Sequence, residues 1–137
     1  MQEKTISDII YTLNQASALL APYMEMHKGL FPKCTLQSQI IKYEEEFKEY
    51  LDAETPEKAI KELGDCLIVI CGIMRFAPLL AACLANEIFA IAFEIYGKTP
   101  SDMMYHVDRK FTINLGRTWK FDEKLQTYKH VGVDGNE

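Results

Sequence analysis

Glycine and proline are scarce, seven and five in 137 residues, too few for a loop-rich sandwich or a low-complexity linker. No repeat or composition break divides the chain, so residues 1–137 are expected to form one domain. The four cysteines, Cys34, Cys66, Cys71 and Cys83, include no C-x-x-C pair, and the three histidines complete no zinc spacing. Cys66, Cys71 and Cys83 stand in apolar runs, where small buried hydrophobes are expected. The opening Met1-Gln-Glu-Lys-Thr-Ile6 has no basic-then-apolar pattern of a secretory signal, so a reducing, cytoplasmic setting is expected. The chain also lacks a basic surplus: a net charge of -5 and a pI near 5.2 argue against a broad nucleic-acid face.

An uninterrupted membrane-length run is missing as well. The most apolar stretch, Leu63 to Phe93, is broken by Arg75, Pro78, Asn86 and Glu87, whereas a span wants about 20 consecutive apolar residues. It reads as two buried helices and no membrane span. A chain of this size would struggle to cover two such helices on every side, which points to a homo-oligomer.

What is present is helical periodicity. Apolar residues make up 48% and charged residues 26%, enough for a packed core. Ile6, Ile9, Ile10, Leu13, Ala16, Leu20 and Tyr23 recur at 3-and-4 spacing, predicting an amphipathic helix over residues 4–26 that breaks at Lys28-Gly-Leu-Phe-Pro-Lys33. A second helix is expected from Thr35 through Ile40, Tyr43, Phe47, Tyr50 and Leu51. Thr55-Pro56 supplies an N-cap and a first-turn proline for a third, ending near Phe76. A fourth runs from Pro78 to Tyr96, where Gly97 suits a C-cap. Ser101 is expected to cap a fifth, with Met104, Val107, Phe111 and Leu115 as its apolar stripe. After that the period changes: Trp119, Phe121, Tyr128 and His130 alternate with polar residues, predicting a short hairpin or extended tail. The fold class is an all-α bundle of about five helices with this C-terminal appendage.

Charge is segregated along the chain. Residues 44–65 carry nine acids against three lysines, while residues 98–129 carry seven bases against four acids. Within the acidic segment Glu46 and Glu49 are three apart, as are Glu62 and Asp65, so each pair projects from one helix face. Folding the two helices back on each other about Glu54 sets Glu46 level with Glu62. Four carboxylates so gathered would repel unless a cation neutralised them, and an all-oxygen donor set favours Mg²⁺ or Mn²⁺ over soft metals. A solvated acidic face is the competing reading. Di-iron bundles use Glu-x-x-His pairs, but the residues three before His27, His106 and His130 are Met24, Met103 and Thr127. In the basic segment, Lys110, Asn114 and Arg117 fall at i, i+4 and i+7, one helical stripe that suits polyphosphate oxygens.

Lys42-Tyr-Glu-Glu45-Glu46-Phe-Lys-Glu49 followed by Glu62-Leu-Gly-Asp65 resembles the E-E-x-x-E … E-x-x-D signature of MazG-like nucleotide pyrophosphohydrolases, members of the all-α NTP pyrophosphatase superfamily. Lys110-x-x-x-Asn114-x-x-Arg117 is similar to that superfamily's C-terminal K-x-x-x-N-x-x-R element. Lys61 departs from the pattern, standing where many members have a second acid. The resemblance implies hydrolysis of a nucleoside triphosphate to monophosphate and pyrophosphate, as house-cleaning of the nucleotide pool, by a dimer or tetramer. It implies Mg²⁺ held by Glu46, Glu49, Glu62 and Asp65, with Glu46 or Glu45 taking a proton from water. Lys110 and Arg117 would hold phosphates, and Asn114 sugar or phosphate. Phosphoribosyl-ATP or pyrimidine dNTPs are alternative substrates, and a non-catalytic oligomer binding a partner through its acids is an alternative of another class.

Overall fold

A computed structural model describes residues 5–131; the expected start of the first helix at residue 4 and the outer ends of the domain lie outside the described residues. Five helices, α1 (Ile6–Leu30), α2 (Leu36–Leu51), α3 (Pro56–Met74), α4 (Pro78–Tyr96) and α5 (Pro100–Leu115), precede a two-stranded antiparallel sheet, β1 (Thr118–Asp122) and β2 (Thr127–Val131). The fold is thus the all-α bundle with a C-terminal hairpin that the periodicity predicts.

Threonine caps set four of the five starts. Thr5, Thr35, Thr55 and Thr99 each accept a bond from the backbone N–H three residues on, satisfying one of the orphan donors of the first turn. Thr99, not Ser101, caps α5: Pro100 takes the first helical position and Asp102 closes a capping box. The apolar stripe of α5 shifts accordingly. Met103, Val107, Phe111 and Asn114 are buried, while Met104 is half-buried and Leu115 exposed.

α1 runs past the expected break at Lys28 and stops only at Phe31. Gly29 stands in open space and costs a helix about 1 kcal/mol relative to alanine, too little to end one anchored by buried His27. Pro32 ends it, because the residue before a proline is pushed out of the α region; Phe31 has φ -130° and ψ 60°.

α3 is the central helix, packed against all four others, and thirteen of its nineteen residues are buried. Leu63, Leu67, Ile70 and Ile73 join Leu20, Ile88, Met103, Val107 and Phe111 in the core. α4 differs from the expectation of a second fully buried helix. Its inner face is Ala81, Ala82, Ala85, Ile88, Phe89 and Ala92, while Leu79, Leu80, Phe93 and Ile95 are exposed. It is long and apolar enough to cross a membrane by length and composition. Cys83 lies off the inner face and is exposed; Cys34, outside the apolar runs, is buried with Cys66 and Cys71. Gly97 closes α4 with a left-handed φ of 68°, a conformation that glycine adopts without a Cβ penalty.

The hairpin is docked by its aromatic residues. Phe31, at the end of α1, packs edge-on against Trp119 (4.8 Å between centroids) and against Tyr128 (5.2 Å). The Lys33 backbone N–H donates to the Tyr128 hydroxyl at 3.0 Å. This contact turns the C-terminal hairpin toward the α2–α3 acids and makes it one wall of a cavity.

Candidate metal and nucleotide site

A single cavity of about 640 Å³ holds nearly every residue singled out from sequence: Glu46, Glu49, Glu62, Asp65, Lys110, Asn114 and Arg117 all line it. That volume is within the range of about 300–1,000 Å³ that suits a small-molecule ligand. Glu45 is the exception. It is exposed and does not line the cavity, because the residue next to Glu46 projects about 100° around the helix.

Three of the four acids converge. One carboxylate oxygen from each of Glu46, Glu49 and Glu62 lies within 4.8 Å of the others. Glu62 is only 5% exposed. Oε2 of Glu46 and Oε1 of Glu62 are buried without a hydrogen bond, the latter having only a 3.8 Å ion pair with Lys61. Burial first, then the neighbouring Glu49 and Asp65, pushes the Glu46 carboxyl up to about 8. Burial also raises Glu62, against the pull of Lys61. Buried acceptors with no donor are costly to leave unmet, and three hard oxygen ligands at this spacing fit a divalent cation such as Mg²⁺.

Asp65 lies at the edge of this trio, beside Glu62. Its Oδ2 accepts from Lys61 Nζ at 3.1 Å, and its Oδ1 faces His106 Nε2 at 3.2 Å and Lys110 Nζ at 4.0 Å. Burial opposes ionisation, but the hydrogen bond from His106, the charge of Lys110 and the bonded, charged Lys61 outweigh it and hold the carboxyl down to about 2. Asp65 is therefore the joint between the acidic cluster and the basic stripe. Sequence reading missed His106 because Met103, not an acid, stands three residues before it, so it fits no Glu-x-x-His pair; its position one turn before Lys110 on α5 was the available signal.

The basic stripe is partly non-helical. Lys110 and Asn114 lie on α5, but Arg117 follows the C-cap Gly116, so its place beside them comes from the turn into β1 rather than from an i+7 spacing. Asn114 is buried with Oδ1 unbonded, while its backbone carbonyl accepts from Trp119 Nε1 at 3.0 Å. That bond joins the charged wall to the aromatic one.

The aromatic wall contains His27, Phe31, Trp119, Tyr128 and His130, with Gln39 beside it. Arg75 Nη1 lies 3.3 Å from His27 Nδ1 and donates to the Phe31 carbonyl at 2.8 Å. An arginine is only a donor, so Nδ1 accepts and the imidazole proton sits on Nε2, toward Gln39. Burial, and secondarily Arg75, lowers His27 to about 4, keeping it neutral. Tyr43 packs on Phe47 and is absent from the cavity wall.

No protein-family model matches this chain, and neither a curated protein nor a solved structure matches it.

Proposed function

We propose that the protein is a Mg²⁺-dependent nucleoside triphosphate pyrophosphohydrolase, with Mn²⁺ as a substitute, releasing nucleoside monophosphate and pyrophosphate. The observation that carries this reading is one cavity in which three glutamate carboxylates converge within 4.8 Å beside Lys61, Lys110 and Arg117, with an aromatic wall opposite. An anionic chain needs cations, a cation cluster needs acids, and a base needs an apolar ring to lie against. This cavity offers all three.

Glu46, Glu49 and Glu62 would hold the ion, with Asp65 at its margin. Bound Mg²⁺ supplies Lewis acidity at the phosphate and lowers the pKa of a water. Glu46 is the proton acceptor in preference to Glu45, which faces away from the cavity. Water attacks the α-phosphorus, its proton passes to Glu46, and the bond from that phosphorus to the bridging oxygen breaks. The electron pair leaves with pyrophosphate, whose charge Lys110 and Arg117 neutralise. Asn114 Oδ1 accepts from a sugar hydroxyl, and the base lies along Phe31, Trp119 and Tyr128.

We include in this reading a homo-oligomer, dimer or tetramer, covering the apolar residues that α1 and α4 expose (Ile6, Ile9, Ile10, Leu79, Leu80, Phe93, Ile95). A cytoplasmic setting and a role in nucleotide house-cleaning accompany it, and neither membrane nor nucleic acid is a partner. The test is pyrophosphate release with Mg²⁺ across canonical and modified NTPs and dNTPs, with phosphoribosyl-ATP as a further arm. Release from a triphosphate supports the reading; release from phosphoribosyl-ATP alone narrows the substrate; no release from any overturns it.

A further inference from the structure

α3 carries a glycine in mid-helix, directly before Asp65, although glycine is the poorest helix former after proline. The space it leaves is occupied. A Cβ built at Gly64 would lie 2.1 Å from His106 Cδ2 and 2.6 Å from Nε2, so any side chain there would expel the imidazole. The ring seated on this glycine comes from α5 and reaches Asp65 Oδ1 at 3.2 Å. We propose that His106, seated on Gly64, is a positioning residue that fixes the Asp65 carboxylate relative to the Glu46–Glu49–Glu62 cluster.

Of the two side chains hydrogen-bonded to Asp65, only His106 comes from another helix. Lys61 is on the same helix at i, i+4, its side chain is 54% exposed, and its ammonium ends a flexible four-carbon stem. It bridges Asp65 to Glu62 Oε1, 3.8 Å away, but only within α3 itself. His106 is a rigid ring with two rotatable bonds, delivered from a different helix one turn before Lys110. It therefore sets the Asp65 orientation and the alignment of Lys110 over the acids together. Side chains bonded to ligating carboxylates commonly change metal affinity by about 10- to 100-fold when removed.

The inference rests on the metal reading above, and Mn²⁺ binding to the free protein, followed by electron paramagnetic resonance, separates the two. The expected result for His106→Ala is a loss of about tenfold in Mn²⁺ affinity. His106→Gln, whose amide nitrogen can replace Nε2, should recover most of it. Gly64→Ala, with no ligand altered, should reproduce the loss by displacing the ring. In the His106→Ala background the same Gly64→Ala change should have almost no effect, because the clash is gone. Losses that multiply in the double variant, or an unchanged affinity in His106→Ala, overturn the role of His106 while leaving the metal site standing. Wild-type protein that binds no Mn²⁺ overturns both. If His106→Ala does not fold, the comparison of Gly64→Ala with His106→Gln decides, since a purely structural histidine would leave the Mn²⁺ affinity of folded protein unchanged in each.

Discussion

The two walls of the cavity are assembled on opposite principles. On the charged wall, half-buried Glu46 and buried Glu62 stand beside other acids with one oxygen of each left unbonded, so the folded, metal-free protein holds them at a cost. On the aromatic wall, Phe31, Trp119, Tyr128 and His27 pack on one another and their polar atoms are bonded to Arg75, Lys33 and Asn114, so that wall adds to stability. The difference separates a surface kept for a ligand from one that also holds the fold together, and substitutions on the two should move activity and stability in different directions.

The largest effect is expected on the charged wall. Glu49→Gln or Glu62→Gln should lower pyrophosphate release by orders of magnitude, and EDTA should abolish it in the wild type. Ca²⁺ should restore it poorly, since its looser coordination positions phosphates badly. Glu46→Gln should be equally inactive yet melt at the same or a higher temperature without metal, because a repelled, desolvated charge is gone. Asp65→Asn should break this pattern and melt lower, since it removes the charged acceptor that Lys61 and His106 share.

The aromatic wall should respond the other way. Phe31 is 7% exposed and touches His27, Trp119 and Tyr128. Truncating it to alanine should cost about 3 kcal/mol in chemical denaturation. Equal stability losses for Phe31→Ala and Glu46→Gln would erase the distinction between the walls.

Lys110→Ala tests whether the charged wall reads phosphate rather than general charge. A charge-assisted contact is worth about 1.5–3 kcal/mol, so the triphosphate reaction should weaken by roughly ten- to a hundredfold. Lys124→Ala, on the exposed hairpin turn, should leave it nearly unchanged. Similar losses for both would remove α5 from the substrate site.

The smallest effect is a pH dependence of opposite sign on the two walls. Glu46 in the folded protein is raised from an ordinary 4.5 to about 8. The native state therefore binds more protons than the unfolded one between those values, and stability falls as pH rises. His27 is lowered from 6.5 to about 4, so its contribution is complete above 6.5 and is lost as pH falls toward 4. Between pH 6.5 and 8 only the Glu46 effect operates of these two. In EDTA the melting temperature should decline across that window, and Glu46→Gln should flatten it.

Much of this architecture was legible because it is local. The cap of α3 at Thr55-Pro56 and the end of α4 at Gly97 are short-range chemistry, and each falls where the sequence puts it. The acid pairs were legible for the same reason: three-residue spacing sets a shared helix face whatever surrounds it. Errors came where a neighbour decided. Ser101 and Thr99 are both competent caps, and Pro100 selected between them. Leu115 fits a helical stripe, but the chain turns into β1 and buries Asn114 instead. Cys83 sits in an apolar run that packs on one side only.

Sequence alone determined five helices, the start of α3 and the end of α4, the facing acids of α2 and α3, and the basic character of α5, since periodicity and charge order survive any packing. Only the tertiary structure decided which of those groups meet. It turned Glu45 to solvent and set His106 of α5 against Asp65. It brought Arg117 into the cavity from beyond the helix, and set the hairpin against Phe31. α5 closes over the acids because it packs on α3, and the hairpin because it packs on Phe31 at the end of α1, contacts between residues far apart in the chain.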